Sequence, residues 1–592
     1  MIASINPATG EHLAAFEPYD EDRVDRLLSA ALLAQSNWRN TSIDERVALL
    51  QSIADTLRAR RDGLAHLIST EMGKPITEAE AEAEIEKCAI TCEYYAANAA
   101  GFLAAEQVTA QGRIEVEPLG VVLAVMPWNF PFWQFFRFAA PALAAGNGAI
   151  LKHANTVPQS ALAIESVLAD AGMPSGLIGV ALVETEQVAG LITDHRIAAV
   201  TFTGSTEVGR IIATQAGQAL KKQVLELGGS DPFIVLADAD LEAAARAAVK
   251  ARFLNTGQSC VNAKRLIVEE SVADEFVDRF TVEIEKLVVG DPLRRETTLG
   301  PLARDGLRDT LHDQVRRTVK SGATLVCGGS PAGPGFFYLP TVLDHVLPGM
   351  AAFDEETFGP VAAVVRAGDA DEAIRLANQT EFGLGASLWT SPERSAELVR
   401  RIDAGAVFVN AIVASDPRLP FGGIKQSGYG RELGAYGMHE FMNVKTVWSP
   451  EPAPRLVIRP DETEVFDRGS GVRTVPYVGA WNCDANRITT GTTTFAVGTE
   501  IPMHSHNVEE SVLVFAGQAT AVIDGERVDL EAGDATWVPG GVPHQFINRG
   551  RDELVIYWVY GGRAVTRTMT ATGVTVQHLS AADRGAVGAS EK

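Results

Sequence analysis

The chain of 592 residues has only five cysteines, at positions 88, 92, 260, 327 and 483. So few thiols in so long a chain exclude a disulfide framework and are typical of a reducing compartment, so we expect a cytoplasmic protein. Basic residues are also scarce: 51 Lys and Arg stand against 75 Asp and Glu, for a formal net charge of −24. Because such a chain repels phosphate backbones and anionic lipid, we expect no nucleic acid and no membrane among its partners.

Long uncharged runs are missing apart from residues 118–136, PLGVVLAVMPWNFPFWQFF. Pro127 and Pro131 would break a membrane-spanning helix near its middle, so we predict a buried strand followed by an irregular turn. The start of the chain has no basic region followed by an apolar run, so we expect no signal peptide.

The sequence has two regions with different secondary-structure patterns. Helical periodicity dominates residues 20–110, and from 120 to about 445 short apolar runs alternate with helical patterns, which predicts α/β units with parallel sheets. After a stretch rich in proline and charge, short strand patterns with turn signals predict an all-β unit. We therefore predict an α/β unit over 1–448, a linker over 449–470, an all-β unit over 471–578 and a disordered tail over 579–592.

Four fragments decide how Cys260 is interpreted: MPWNFP with Asn129, FTGSTEVGR over 202–210, LELGGSDP with Glu226, and NTGQSC with Cys260 itself. Taken singly, each has an ordinary alternative, since an isolated cysteine is often an inert core residue. Together, in this order, they resemble the aldehyde dehydrogenase family over about residues 1–448. The resemblance implies a Rossmann-like cofactor domain over about 1–226, a catalytic domain over about 227–420, and oligomerisation strands over about 105–120 and 421–448.

The resemblance also assigns the chemistry. Cys260 would add to the aldehyde carbon, and the Asn129 amide with the Cys260 backbone N–H would stabilise the oxyanion. Glu226 would be the general base that activates water to hydrolyse the thioester. None of the eleven histidines lies within these fragments, which counts against a Cys–His hydrolase.

A cofactor of the nicotinamide type, NADP or NAD, is implied in the same way, although the chain has no GxGxxG. In the family the turn after strand AAVTF lies at the pyrophosphate, and LKHAN at the adenosine ribose. Because position 155 is a neutral Asn where relatives that prefer NAD often carry Glu, we expect NADP to be accepted. The cofactor residues expected from the resemblance are Trp128, Lys152, Asn155, Gly204, Ser205, Gly209, Glu356 and Phe358.

Within the family the chain is most similar to bacterial succinate-semialdehyde dehydrogenases, whose substrate carries a carboxylate. Arg137 and Ser415 fall at that subfamily's substrate positions, and a guanidinium suits a carboxylate. The alternative is that Arg137 pairs with a structural carboxylate. Some relatives have a further Arg where this chain has Leu254, with Arg252 two residues earlier, so we expect the anion to be held more loosely.

The all-β unit carries two segments, GTEIPMHSHNVEESVLVFAG and GDATWVPGGVPHQFIN, that resemble the two cupin motifs of a small β-barrel. His504, His506, Glu510 and His544 would form a set of three imidazoles and one carboxylate for a divalent transition metal. The alternative is a degenerate barrel without metal. The unit could serve as a second enzyme, a sensor or an assembly module.

The leading hypothesis is therefore NAD(P)-dependent oxidation of an aldehyde to a carboxylate, with succinate semialdehyde as the small-molecule substrate. Two alternatives stay open: a broad-range aldehyde dehydrogenase, and a sensory or binding protein with a vestigial dehydrogenase unit. Strand FMNVKTVW normally pairs across a subunit interface in the family, so we expect a homodimer or homotetramer.

Overall fold

The computed structural model describes residues 1–80, 84–109, 111–449, 457–483, 486–580 and 582–583. The chain forms two compact units, Met1–Trp448 and Ser449–Lys592, which are described separately here. Among the described residues, no helix combines the length and the apolar character that crossing a bilayer requires.

Helices of the first unit begin where the sequence offers capping side chains. Asp20 accepts a hydrogen bond from the backbone N–H of Arg23 at the start of α1, and Ser42 forms a capping box with Glu45 at the start of α2. The sequence pattern did not show the break at Arg60 between α2 and α3, because neither Gly nor Pro marks it. The helices are α1 Glu21–Trp38, α2 Ile43–Ala59, α3 Arg61–Met72, α4 Ile76–Glu80, α5 Ile85–Phe102, α6 Trp133–Ala145, α7 Pro158–Asp170, α8 Val188–Thr193, α9 Thr206–Gln218, α10 Leu241–Phe253, α11 Glu270–Ile284, α12 Asp305–Lys320, α13 Ala351–Asp354, α14 Ala370–Asn378, α15 Pro392–Val399 and α16 Gly434–His439.

Strands of the first unit are mostly short, apolar and buried, as parallel strands covered on both faces should be. They are β1 Ile2–Ile5, β2 His12–Phe16, β3 Glu106–Gln107, β4 Gly112–Pro118, β5 Val121–Met126, β6 Gly148–His153, β7 Ile178–Val180, β8 Ile197–Thr203, β9 Lys222–Glu226, β10 Asp231–Val235, β11 Ala263–Glu269, β12 Thr324–Cys327, β13 Pro331–Ala332, β14 Phe337–Tyr338, β15 Thr341–Asp344, β16 Val361–Ala367, β17 Gly385–Trp389, β18 Ala406–Val409, β19 Gly428–Tyr429 and β20 Met442–Trp448.

Two α/β sheets build the first unit. One has the order β19-β9-β8-β5-β6-β7, parallel except for β19, and it is the predicted Rossmann-like sheet. The other has the order β12-β15-β16-β11-β10-β17-β18, parallel except for β12. Helices cover both sheets, and separate buried apolar clusters lie on the two sides of the second. Because β9 ends at Glu226 and β10 begins at Asp231, the chain crosses from one sheet to the other at the LELGGSDP segment.

A third, antiparallel sheet has the order β20-β4-β3, so the segments predicted as oligomerisation strands pair with each other. Strand β20 lies at the edge of this sheet and exposes Val444 and Trp448. The stretch 118–136 forms β5, a turn at Pro127–Phe132 and the first turn of α6, as the two prolines predict.

The second unit consists of two six-stranded sheets, ordered β21-β22-β23-β30-β25-β28 and β27-β26-β29-β24-β31-β32. Asp524 and Gly525 both have positive φ, as the predicted hairpin turn between β26 and β27 requires. The strands are β21 Phe466–Asp467, β22 Val472–Val478, β23 Thr489–Phe495, β24 His504–His506, β25 Glu510–Ala516, β26 Gln518–Ile523, β27 Glu526–Glu531, β28 Ala535–Val538, β29 His544–Asn548, β30 Leu554–Tyr560, β31 Thr566–Met569 and β32 Thr575–Gln577.

Two predicted boundaries of the second unit were misplaced. Strand β21 and the buried Arg468 lie inside the predicted linker 449–470, of which residues 450–456 are outside the described part. At the other end Leu579 and Asp583 are buried, although a disordered tail was expected from 579. The reason is electrostatic: the Asp583 carboxylate accepts hydrogen bonds from Arg468 Nη1 and Arg567 Nη1, 3.1 and 3.0 Å away. Residues 581 and 584–592 of that predicted tail lie outside the described part.

Candidate active site and metal site

Cys260 follows a strained turn. In the 3₁₀ segment Leu254–Gly257, Asn255 and Thr256 have φ of 53° and 56°, a left-handed conformation that costs energy for residues other than Gly. The Asn255 side chain holds the turn by donating to the carbonyl oxygens of Asn129, at 2.8 Å, and Gln258, at 3.2 Å. The turn therefore fixes the cysteine segment against the MPWNFP segment.

Asn129 keeps one amide N–H for a ligand. Its Nδ2 donates to the carbonyl oxygen of Gln258 at 2.9 Å, and its Oδ1 accepts from Gln134 Nε2 at 3.1 Å. A primary amide has two N–H donors, and the structure pairs one of them. Asn129 and Cys260 line the same cavity of about 250 Å³, so the remaining Asn129 N–H and the Cys260 sulfur can contact the same small molecule.

Glu226 ends β9 with 1% of its surface exposed, and neither carboxylate oxygen has a hydrogen-bond partner among the described residues. Burial, reinforced by the nearby Glu432 carboxylate, raises its pKa well above the ordinary value, and the charges of Arg137 and Arg431 oppose the shift. Gly422 lies so close that a Cβ there would be 2.8 Å from Glu226 Oε1. The carboxyl group is thus enclosed, and its surroundings favour the protonated form.

The Cys260 thiol is also neutral in this structure. Burial raises its pKa to about 12, while Arg137 and Lys264 lower it and Glu226 raises it. The Glu226 carboxyl group thus lies within electrostatic range of the sulfur. The segment after Glu226 approaches the cysteine backbone closely, because a Cβ on Gly229 would be 2.6 Å from the Cys260 carbonyl oxygen. The structure therefore brings Asn129 and Cys260 to one cavity and places Glu226 within electrostatic range of the thiol.

Lys264 is a site residue that sequence reasoning missed. It is fully buried, donates to the carbonyl oxygens of Ser259 and Cys260 at 3.1 and 2.8 Å, and lies 3.5 Å from Glu356 Oε1. The sequence did contain an indication of this role. Lys264 and Arg265 are adjacent basic residues in strand β11, which is otherwise apolar up to Val268, and an unpaired charge there would be costly. Lys264 thus connects the Cys260 backbone to Glu356, a residue expected to hold the cofactor.

The same cavity is lined by five of the expected cofactor residues, Trp128, Gly204, Ser205, Glu356 and Phe358. The rings of Trp128 and Phe358 meet edge to face with centroids 5.8 Å apart. Ser205 caps α9, so backbone N–H groups at the start of that helix are available to an anion. The cavity is therefore suited to a nicotinamide nucleotide.

Packing alone also explains why glycine occupies positions 204 and 209, at the turn from β8 into α9. A Cβ on Gly204 would lie 2.4 Å from the Phe202 ring, and one on Gly209 would lie 2.4 Å from the Leu227 side chain. Glycine at these positions is therefore required by helix–strand packing whether or not a cofactor binds.

Lys152 and Asn155 lie together with a carboxylate that the sequence did not reveal. Lys152 Nζ donates to Asn155 Oδ1 at 2.7 Å, and Asn155 Nδ2 donates to Glu184 Oε2 at 2.9 Å. Burial lowers the Lys152 pKa to about 8, and Glu184 raises it. The neutral Asn155 thus has an acidic neighbour, Glu184, whose carboxylate would repel a 2′-phosphate bound here.

The two expected substrate residues, Arg137 and Ser415, lie in different environments. Arg137 is 2% exposed and forms an ion pair through Nε with Glu432 Oε2, which is the structural pairing left open above, while its Nη2 has no hydrogen-bond partner among the described residues. Ser415 is partly buried and accepts a hydrogen bond from Lys87 Nζ at 2.8 Å. Neither residue lines the cavity around Cys260, and their role in substrate binding stays a prediction.

Arg252 does not compensate for the missing arginine at position 254. It is fully buried, and its guanidinium donates to the backbone carbonyl oxygens of Thr357, Gly359 and Val361. Its role is to hold the segment that follows Glu356, so it is not placed to meet a substrate carboxylate.

The four predicted metal ligands converge inside the second unit. One ring nitrogen from each of His504, His506 and His544 lies within 4.8 Å of the others, and Glu510 Oε2 lies 2.7 Å from His544 Nε2. The Nδ1 atoms lie 2.7, 3.0 and 2.9 Å from carbonyl oxygens of Pro502, Thr566 and Val542. Since a carbonyl only accepts, each Nδ1 carries a proton and each Nε2 is the nitrogen left for a metal. His544 Nε2 contacts Glu510, and His506 Nε2 lies 3.1 Å from the Tyr560 hydroxyl, so a bound metal would replace these two contacts.

Residues 1–447 match the profile of the aldehyde dehydrogenase family. The chain belongs to this family. Residues 491–560 match the profile of the cupin domain. The predicted fold class, an aldehyde dehydrogenase fold followed by an all-β cupin barrel, is confirmed. We call Met1–Trp448 the aldehyde dehydrogenase unit and Ser449–Lys592 the cupin unit.

Relatives cover the aldehyde dehydrogenase unit almost end to end. The Escherichia coli (strain K12) protein named succinate semialdehyde dehydrogenase Sad, of the NAD(P)+ type, is 50% identical over 450 residues, 75% of this chain and 97% of that protein. A Mycobacterium ulcerans (strain Agy99) protein named as the NADP(+) enzyme is 48% identical over 456 residues, 76% of this chain and 99% of its own length. The crystal structure of the Streptococcus pyogenes succinic semialdehyde dehydrogenase with NADP+ is 37% identical, with a TM-score of 0.74 over 76% of this chain and 100% of that one.

Proposed function

We propose that the aldehyde dehydrogenase unit oxidises succinate semialdehyde to succinate with NADP or NAD. The observation that carries the proposal is the convergence of Cys260 and Asn129 on one cavity, with the Glu226 carboxyl group as an electrostatic neighbour of the thiol. The substrate class is that of the similar E. coli and M. ulcerans succinate-semialdehyde dehydrogenases. The broad-range aldehyde dehydrogenase and the vestigial unit are the alternatives that the experiments below distinguish.

The side chains suit each step of the oxidation. The Cys260 thiol gives its proton to solvent as the sulfur bonds to the aldehyde carbon, and the carbonyl oxygen becomes an oxyanion that accepts from the free Asn129 N–H. The nicotinamide, when bound, supplies the acceptor for the hydride that leaves this carbon. Glu226 then takes a proton from water as the water attacks the thioester carbon, the C–S bond breaks to release the carboxylic acid, and Glu226 returns the proton to the departing sulfur.

A direct assay tests the substrate assignment. We expect the wild-type protein to reduce NADP or NAD with succinate semialdehyde at a kcat/KM about 100-fold above that with butanal, because a buried charge-assisted contact discriminates strongly against its absence. Absorbance of the reduced nicotinamide measures both rates. Equal efficiency with the two aldehydes would instead support the broad-range enzyme, and no turnover of either would support the vestigial unit.

Glu184 is expected to limit the preference for NADP. Its carboxylate lies 2.9 Å from the Asn155 amide, where the resemblance places the adenosine ribose, so it repels a 2′-phosphate. We expect Glu184→Gln to lower KM for NADP about fivefold, a small effect because the side chain is 35% exposed and solvent screens it. KM for NAD should change less. Glu275→Gln, on the exposed face of α11, is the matched control, and an unchanged ratio of the two KM values would contradict the prediction.

We further propose that the cupin unit binds one divalent transition metal through His504, His506, His544 and Glu510. The donor set supports this, because three imidazole rings and one carboxylate lie together in a buried site. We expect metal analysis of the full-length protein to give about one ion per chain, and His506→Ala to lose most of it. His195→Ala, whose side chain is 89% exposed, is the control. Equal metal content in all three proteins would favour the degenerate barrel.

We also propose a homodimer or homotetramer in solution. The support is the resemblance together with the edge position of β20 and its exposed Val444 and Trp448. Light scattering on the purified full-length protein measures the mass of the assembly directly, and a monomeric mass would overturn this proposal.

A further inference from the structure

Lys87 is a partly buried cation for which the described residues provide no ion-pair partner. It lies on α5, donates to Ser415 Oγ at 2.8 Å, and places Nζ 4.4 Å from the centre of the Trp133 ring. Burial and the positive charge of Arg137 lower its pKa to about 8. A cation held this way, on a hydroxyl and an aromatic face, is stabilised further by any carboxylate that reaches it.

The acidic groups around Lys87 are engaged elsewhere. Glu84 lies 2.5 Å from Lys74 Nζ, and Asp416 lies 2.6 Å from Arg418 Nη2. The other titratable groups that act on Lys87 are Arg137, which repels it, and the Cys88 thiol, which burial keeps protonated by raising its pKa. Within the described part of the chain, the ammonium therefore has no carboxylate of its own, and the nearby Arg137 charge repels it.

The first turn of α6 connects this cation to the reacting centre. Trp133 lies under the Lys87 ammonium, and the next residue, Gln134, lines the cavity and holds Asn129. Arg137 lies one turn further along the same helix and acts electrostatically on both Lys87 and Cys260. The ammonium and the oxyanion donor thus contact consecutive residues of one helical turn, Trp133 and Gln134, which links the cation to the segment beside Cys260 although Lys87 itself does not line the cavity.

We infer that Lys87, together with Ser415, binds the carboxylate of the aldehyde substrate and sets the preference for a charged aldehyde. The inference rests on the proposed function, and it assigns substrate binding to a residue, Lys87, that the sequence patterns did not indicate. Arg137 is already paired with Glu432, position 254 is Leu, and Arg252 is committed to backbone carbonyl groups. Among the described residues, Lys87 thus offers a positive charge that is neither ion-paired nor committed to backbone carbonyl groups.

The test compares Lys87→Met with the wild type on succinate semialdehyde and on butanal. Methionine keeps the length and apolar stem of the side chain and removes the charge. We expect the ratio of kcat/KM for the two aldehydes to fall about 10- to 100-fold, mainly through a higher KM for succinate semialdehyde. Lys87→Arg should keep most of the preference, and Lys286→Met, a lysine 63% exposed, should keep all of it.

Two further measurements do not depend on the variant's turnover. Succinate should inhibit butanal oxidation by the wild type competitively with the aldehyde and should inhibit Lys87→Met at least tenfold more weakly. In the wild type, KM for succinate semialdehyde should rise above about pH 8 as the Lys87 ammonium loses its proton, whereas KM for butanal should not.

The outcomes separate the two proposals. A wild type that does not prefer succinate semialdehyde overturns the proposed function. A wild type that prefers it, with the preference and the succinate inhibition unchanged in Lys87→Met, overturns the role of Lys87 and leaves the proposed function standing. A Lys87→Met protein that still oxidises butanal but has lost both the preference and the inhibition supports the role of Lys87.

Discussion

Cys260→Ala is expected to abolish aldehyde oxidation, with kcat falling by about 10⁵-fold or more, because the substitution removes the atom that bonds to substrate. Hydride cannot leave a free aldehyde carbon readily, so no later step compensates for the missing sulfur. Formation of the reduced nicotinamide from succinate semialdehyde is the measurement. Fluorescence titration with the reduced cofactor should show that binding persists, since Trp128, Ser205 and Glu356 remain in the cavity.

The chain offers a matched control for this experiment. Cys327 is a partly buried cysteine on β12, at the edge of the second sheet, and it is not among the residues that line the cavity. Cys327→Ala should therefore turn over at close to the wild-type rate. Substantial turnover by Cys260→Ala would mean that the reaction proceeds without a bond from this sulfur, and the mechanism proposed above would have to be abandoned.

Glu226→Gln is expected to separate the two halves of the reaction. The amide has the size of the carboxyl group but cannot take a proton from water, so steady-state turnover should fall about 10²- to 10⁴-fold. Thioester formation precedes that step, so rapid mixing should still show a burst of about one reduced nicotinamide per active site. Intact-protein mass spectrometry should then detect one succinyl group on Cys260.

The control for this variant is Glu242→Gln, since Glu242 is 63% exposed at the start of α10. It should show wild-type turnover without accumulating acyl-enzyme. If Glu226→Gln turned over at the wild-type rate, the base would have to be another group. If it lost the burst as well, Glu226 would be needed before the thioester forms, as the acceptor of the thiol proton.

The pH dependence follows from the same two groups. Glu226 acts as a base only when ionised, and burial beside Glu432 raises its pKa, so deacylation should increase as the pH rises through that raised value and be lost as the pH falls below it. The Cys260 thiol, with its pKa raised to about 12, changes in the same direction. Turnover should therefore be greater under mildly alkaline than under acidic conditions.

The family resemblance singled out the residues that we propose to react, because each stands in a short fragment with its own backbone demands. Cys260 follows a turn that requires Asn255 and Thr256 in unusual conformations, and Glu226 precedes two glycines that let the next sheet approach. The parallel strands were predictable for a similar reason, since β5, β6 and β8 are continuous apolar runs.

Partnerships between distant charges could not be found in this way. Arg137 was singled out as an isolated charge in an apolar segment, but nothing near it in the sequence indicated that Glu432 would reach it. Lys87 and Glu184 look like ordinary surface residues in their local patterns. Their meaning depends on Ser415 and Asn155, which only the folded chain brings within hydrogen-bonding distance.

The anchoring of Asp583 determines where this protein can be shortened. The Asp583 carboxylate pairs with two interior guanidinium groups, those of Arg468 near β21 and Arg567 on β31, and so ties the end of the described chain to the barrel. We expect that trimming the chain after Asp583, or attaching a purification tag there, leaves both ion pairs intact. Ending the chain before Asp583 would leave the two buried guanidinium groups without this carboxylate, which we expect to destabilise the barrel.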